Sequence, residues 1–134
     1  MSRGLVPLLL MLAFLSLSCG SSRQLNSISV NPATADAQKF PNGQVQFTAT
    51  GTFNMAPTTV TPLSVTWCPQ ATCGVGTPVN VGVSIDGNGL AQCVSSFSGT
   101  VTIVAEAPRN PGAMITPMSG MNGMVSGTAQ ITCP

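Results

Sequence analysis

Residues 44–50 have the sequence Gln-Val-Gln-Phe-Thr-Ala-Thr, in which every second side chain is apolar. The apolar positions are Val45, Phe47 and Ala49, and the residues between them carry amides or hydroxyls. Successive side chains of a β-strand point to opposite faces of the sheet. The stretch therefore predicts a strand with one buried face and one solvated face.

The same alternation recurs along the chain, with Gly, Pro and Asn between the runs and no helical period. The seven predicted strands are Ser27–Val30, Gln44–Thr50, Leu63–Trp67, Val81–Ile85, Leu90–Val94, Thr100–Ala107 and Thr128–Cys133. Asp86-Gly87-Asn88-Gly89 is a tight-turn signal between the fourth and fifth strands. Seven short strands, each with one apolar face, predict an all-β, seven-stranded immunoglobulin-like β-sandwich. Trp67 occupies an apolar position in the alternation of the third strand, which predicts that its side chain points towards the core.

Five runs resemble the bacterial Ig-like domain, group 2, and together they cover about residues 25–133. The matching runs are Leu25–Pro32, Gln46–Phe53, Val65–Trp67, Ile85-Asp86 with Gly89–Ala91, and Gly99–Ile103. The resemblance implies a β-sandwich of bacterial cell-surface proteins, used as a spacer or adhesive module. It implies no catalytic residues.

The first 18 residues have the pattern of a signal peptide. Arg3 precedes the apolar run Leu5–Leu17, whose 13 positions are too few for a bilayer span of about 20 residues. Small residues at Ser16 and Ser18 then stand directly before Cys19. We therefore predict a lipoprotein-type signal peptide at 1–18 and export from the cytoplasm.

Cys19 has two interpretations. Leu15–Cys19 resembles a lipobox, which makes Cys19 the acylated N-terminus, residues 19–25 a tether and residues 26–134 the Ig-like domain. Ordinary cleavage at the same small residues leaves Cys19 unmodified and the protein secreted. The lipobox predicts a membrane partner through the lipid, and Gly20 resembles the sorting signal for the outer membrane.

Cysteine number favours lipidation, because removing Cys19 from the five cysteines leaves an even set. The other four are predicted to form disulfides in an exported chain, in any of three connectivities. In an immunoglobulin-like sandwich the third, fifth and seventh strands run the same way. Cys68 follows the inward-facing Trp67 and so points outwards, which favours Cys68 with Cys73 and Cys93 with Cys133.

Charge and composition exclude several functions. Without the leader the chain has three basic and three acidic residues, so its net charge is zero and nucleic-acid binding has no electrostatic basis. The chain has no His and no Tyr, so the usual base for nucleophilic hydrolysis is missing. The only carboxylates are Asp36, Asp86 and Glu106, and Asp86 is explained by its turn. We predict a non-enzyme without a cofactor or a metal.

The predicted function is a non-catalytic cell-envelope or surface protein with a structural, adhesion or protein-interaction role. One alternative is Cu(I) binding by the thioethers of Met114, Met118, Met121 and Met124. The competing interpretation is a loop whose methionines bind no metal and instead cover apolar surface or contact another protein. A second alternative is a carbohydrate-binding module. Its candidate exposed aromatics are Phe40, Phe53 and Phe97, since Trp67 is predicted to be buried.

Overall fold

The computed structural model describes residues 22–69, 73, 82–111 and 123–134. Strands dominate these residues, joined by loops and by two 3-10 turns at Ala37–Lys39 and Pro41–Gly43. The strands are β1 Leu25–Asn31, β2 Thr34–Asp36, β3 Gln44–Gln46, β4 Thr48–Phe53, β5 Thr59–Val60, β6 Thr66–Cys68, β7 Val83–Ile85, β8 Leu90–Cys93, β9 Gly99–Pro108 and β10 Met124–Cys133. The all-β prediction is confirmed for the described residues.

Each of the seven predicted strands has a counterpart, but the boundaries differ. The run 44–50 is divided at Phe47 into β3 and β4, and the third predicted strand is reduced to β6. The last strand begins at Met124 instead of Thr128. Strands β2 and β5 were not expected, because three and two residues are too short for an alternating pattern to be recognised.

The strands pair in three sheets. One sheet has the order β2-β10-β9-β6, a second β1-β4-β5 and a third β3-β8-β7. All pairs are antiparallel except β2 with β10, which is parallel. Residues 44–53 supply one strand to each of the three-stranded sheets, so these two sheets are joined by a single stretch of chain.

One hydrophobic core lies between the sheets. Its largest fully buried side chains come from all three: Leu25, Val45, Phe47, Ile103 and Ile131. Strand β10 passes close to β1, because a Cβ on Gly127 would lie only 2.5 Å from the carbonyl oxygen of Ile28. The alternation read from the sequence therefore places the apolar faces correctly.

The two ends of the domain are distinct. At the end called here the Leu25 end, the Leu25 N–H donates to the Arg109 carbonyl at 2.7 Å, and the Arg109 N–H donates to the Gly123 carbonyl at 2.7 Å. Strand β10 then runs ten residues to Cys133, which is about 30 Å at 3.3 Å per residue. The opposite end is called the Cys133 end.

Residues 23–25 belong to the domain, although they were assigned to the tether. Leu25 is 1% exposed in the core. The Gln24 N–H donates to Asn54 Oδ1 at 2.7 Å, and the Gln24 carbonyl accepts from the Asn54 N–H at 3.0 Å. The Arg23 guanidinium donates to the carbonyls of Met55 and Pro57. The predicted tether is therefore too long at its C-terminal side by at least these three residues.

Candidate functional site

Asp86 organises the turn between β7 and β8. Its Oδ1 accepts from the N–H groups of Asn88 and Leu90, both at 2.9 Å. The turn is closed by the Gly89 N–H, which donates to the Asp86 carbonyl at 3.1 Å. Gly89 has φ +84°, which favours glycine there. Asp86 therefore has the structural role that the turn signal predicts.

Replacing this carboxylate should measurably weaken the hairpin. We expect Asp86→Ala to lower the free energy of unfolding by about 1–2 kcal/mol, since two backbone donors lose a charged acceptor at an exposed site. Asp86→Asn keeps an oxygen at the same place and should lose less than half as much. Urea denaturation of both variants measures the difference, and equal losses would contradict the role of Oδ1.

The other two carboxylates, Asp36 and Glu106, do not converge with each other. Asp36 ends β2, accepts from the Gln38 N–H at 3.1 Å and lies 3.7 Å from the Lys39 ammonium. Strand register places Asp36 beside Thr132, whose partner on β9 is Thr100. Glu106 lies six residues further along β9, about 20 Å away at 3.3 Å per residue. The pair of adjacent carboxyls that glycoside hydrolysis needs is therefore not formed by these two residues.

Two cysteine pairs lie at bonding distance. Cys68 pairs with Cys73, with Cα atoms 5.4 Å apart, and Cys93 pairs with Cys133, with Cα atoms 5.8 Å apart. These are the two pairs that strand parity favoured. Disulfides persist in oxidising compartments, so the pairs fit a non-cytoplasmic protein. Among the described residues, no three His, Cys, Asp or Glu side chains form a group that could hold a metal.

The three phenylalanines proposed as exposed aromatics do not form one surface. Phe53 is only 5% exposed, and the Arg23 guanidinium lies 3.7 Å from its ring centre in a cation–π contact. Its assignment as an exposed aromatic was wrong, because Phe53 is on the apolar face of β4 and the Arg23 side chain covers its ring. Phe40 and Phe97 do come together, at the Cys133 end.

Phe40 and Phe97 line a groove of about 230 Å³, called here the Phe40–Phe97 groove. Cys93, Val94 and Pro134 complete much of its wall. Phe40 is 37% exposed and Val94 47% exposed, so this end of the domain presents apolar surface to solvent.

A larger cavity of about 550 Å³ lies on the flank of the domain, and we call it the Trp67 cleft. Residues 46–49 form one side, residues 62–65 and Trp67 the second, and residues 87–88 the third. Trp67 is packed against the core but only partly buried, so its predicted burial is incomplete. The segment 62–65 is attached to β4 by the Leu63 N–H, which donates to the Ala49 carbonyl at 2.8 Å.

Gln46 and Asn88 are residues of this cleft that sequence reasoning did not single out. Gln46 is an outward residue of the alternating run, and Asn88 is part of the turn signal. The Gln46 side-chain nitrogen donates to the Asn88 carbonyl at 2.7 Å and to the Phe47 carbonyl at 2.9 Å. The sequence showed only that both are polar residues expected to face the solvent. It could not show the contact between them, because they are 42 residues apart in the chain.

Several predicted sites fall outside the described residues. Cys19, the signal peptide 1–18, Met114, Met118 and Met121 are all in this group. Met124 is described, and it is the half-buried first residue of β10. The lipidation and copper predictions therefore stay predictions.

Comparison with known proteins identified no relative from which a function could be inferred. The chain matches no protein-family model and no curated protein. Among the described residues, no helix is long and apolar enough to cross a membrane.

Proposed function

We propose that this chain is an exported, non-catalytic cell-envelope or surface protein whose single domain is an immunoglobulin-like β-sandwich. The observation that carries the proposal is an all-β domain with two cysteine pairs at bonding distance. Such pairs are rare in reducing compartments and frequent in small exported domains. Its role is structural, adhesive or in protein interaction.

The strand order supports the immunoglobulin-like assignment. In that architecture one sheet is formed by the first, second, fifth and fourth strands and the other by the third, sixth and seventh. Here β1, β4 with β3, β8 and β7 follow the first order, and β6, β9 and β10 the second. The short β2 adds a parallel edge beside β10.

The positions of the described acidic residues support a non-catalytic role. The carboxylates of Asp36 and Asp86 hold local turns. Glu106 lies about 20 Å from Asp36 by strand register. The chain has no His, which is the usual base beside a hydrolytic nucleophile.

The placement of the ends agrees with attachment through Cys19. The domain begins at the Leu25 end, so a lipid on Cys19 would hold that end towards the membrane. The Cys133 end would then point outwards, about 30 Å away along β10. In this arrangement the exposed Phe40 and Val94 are presented to the surroundings of the cell.

Expression of the full chain in a two-membrane bacterium tests this proposal. We expect the mature protein to begin at Cys19, to carry a diacylglyceryl group in intact-mass analysis and to sediment with membranes. A Cys19→Ser variant should lack the acyl mass and leave the membrane fraction, whereas a Ser21→Ala variant should behave as the wild type. A cytoplasmic product that retains residues 1–18 would refute export, and an exported wild type without acyl mass would refute the anchor alone.

A further inference from the structure

The Trp67 cleft has the size and lining of a small-molecule site. Its volume of about 550 Å³ is more than twice that of the Phe40–Phe97 groove, at about 230 Å³. Binding sites for small molecules usually measure about 300–1,000 Å³ and combine apolar or aromatic walls with a few polar groups. The cleft has apolar walls at Leu63 and Val65 and polar groups at Gln46, Ser64 and Asn88.

The Trp67 side chain forms one wall of the cleft, and its neighbours hold it in place. Its backbone pairs with Ala105 in the ladder between β6 and β9. On the other side its six-membered ring lies against Gly89, where a Cβ would come within 3.0 Å of two ring carbons. The same Cβ would lie 2.5 Å from the Phe47 carbonyl oxygen, so no side chain fits between the turn and the strand. An aromatic ring fixed in this way offers apolar area at little entropic cost.

Gln46 limits the polar chemistry that the cleft can offer. Both N–H bonds of its amide are used within the protein, one on the Asn88 carbonyl and one on the Phe47 carbonyl. The side chain can therefore give a ligand only its oxygen, which is an acceptor for a hydroxyl or N–H. The Ser64 hydroxyl, on an exposed residue across the cleft, can either donate or accept.

The cleft has no charged residue among its described lining residues. A charged ligand would therefore lose hydration there without gaining an opposite charge. The exposed positions Pro62, Ser64 and Asn88 leave the cleft open to solvent. The ligand that fits is neutral, has an apolar face for the indole and carries hydroxyls for the amide oxygen and the serine.

We infer that the Trp67 cleft binds a neutral saccharide unit, with an apolar face of a pyranose ring against Trp67 and ring hydroxyls on Gln46 and Ser64. The inference is independent of export and lipidation, because it rests only on contacts within the domain. It moves the carbohydrate site from the phenylalanines to the flank of the domain.

The chain provides its own reporter for this site, because Trp67 is the single tryptophan and there is no tyrosine. The probes are neutral oligosaccharides of glucose and of N-acetylglucosamine, added to the folded domain with both cystines intact. We expect a saturable change in Trp67 fluorescence, and in the one indole N–H signal by NMR, with a Kd of roughly 0.1–1 mM. Glycerol and the hexuronic acid oligomers should give no saturable change.

A matched pair of glycine variants locates the binding. Gly87 lines the cleft and Gly123 does not, and a Cβ at either position has nothing within 4 Å. Gly87→Leu places an isobutyl group at the rim and should raise the Kd at least tenfold. Gly123→Leu adds the same group elsewhere and should leave the Kd within twofold.

A second matched pair tests the amide. Gln46→Ala removes the proposed acceptor and should raise the Kd about fivefold. Gln44→Ala removes an amide from the same strand that instead faces the Gln92 side chain, at 3.5 Å, and should have no effect. Thermal unfolding of all four variants identifies any that have lost their fold, and the remaining pair then decides.

Three results would overturn the inference. The first is no saturable response of either Trp67 signal up to about 10 mM of the neutral oligosaccharides. The second is equal weakening by Gly87→Leu and Gly123→Leu in folded proteins. The third is stronger binding of the hexuronic acid oligomers than of the neutral ones.

Discussion

Phe47→Ala should destabilise the domain by about 3–5 kcal/mol, the usual loss when a large buried aromatic side chain is truncated. Phe47 is 1% exposed and has the largest volume of the fully buried side chains. A loss of this size is a large fraction of the roughly 5–15 kcal/mol by which a domain is stable. Urea denaturation, followed by circular dichroism, measures the change.

The substitution removes packing and leaves the local hydrogen bonds in place. The Phe47 N–H donates to the Gly89 carbonyl at 2.8 Å, and the Phe47 carbonyl accepts from the Gln46 amide at 2.9 Å. Both bonds use backbone atoms of residue 47, which alanine retains. The free-energy difference therefore reports the lost apolar contacts and the cavity that the benzyl group leaves.

Phe40→Ala is the matched control, because it removes the same benzyl group from a 37% exposed position. We expect it to cost about 1 kcal/mol or less. If the two substitutions cost the same, Phe47 is not in the core and the buried face of the 44–50 run is wrongly assigned.

The strands could be predicted because alternation is a local property. The 44–50 run and the C-terminal strand place their apolar residues in the core as their parity requires. The long β9 does the same except at Val104, which is buried although it has the parity of the polar positions. The break at Phe47 was not visible, since it depends on the Gly89 carbonyl from a turn about 40 residues further along the chain. Short strands such as β5 contain too few residues to show a period.

The candidate site was harder to predict, because three distant segments form it. Trp67 has the parity of a core residue, yet its ring is only partly buried because residues 62–65 lie at the side of β4 and leave the cleft open. Phe53 shows the opposite error. It was expected to be exposed, although it continues the apolar parity of residues 45–51 and lies on the buried face of β4. Arg23 also covers its ring. The position of residues 62–65 depends on tertiary packing, which no periodicity reports, whereas the burial of Phe53 follows from the alternation.

The two cystines should contribute unequally to stability. The chain-entropy model makes the contribution grow with the length of the closed loop. The sequence separation is 40 for Cys93 and Cys133 and 5 for Cys68 and Cys73. The model then gives about 4 kcal/mol for the long loop and about 2 kcal/mol for the short one. Cys133 is also buried at 4% exposure, so its loss disturbs the core as well.

Double alanine variants separate the two contributions without leaving a free thiol behind. We expect Cys93→Ala with Cys133→Ala to lower the free energy of unfolding by about 4 kcal/mol, and Cys68→Ala with Cys73→Ala by about 2 kcal/mol. Urea titration under non-reducing conditions gives both values, and the reduced wild type should lose roughly the sum. The physical reason is that the long cystine ties the end of β8 to the end of β10, two strands of different sheets. A larger loss from the short cystine, or peptide mapping that joins Cys68 to Cys93 or Cys133, would contradict this pairing.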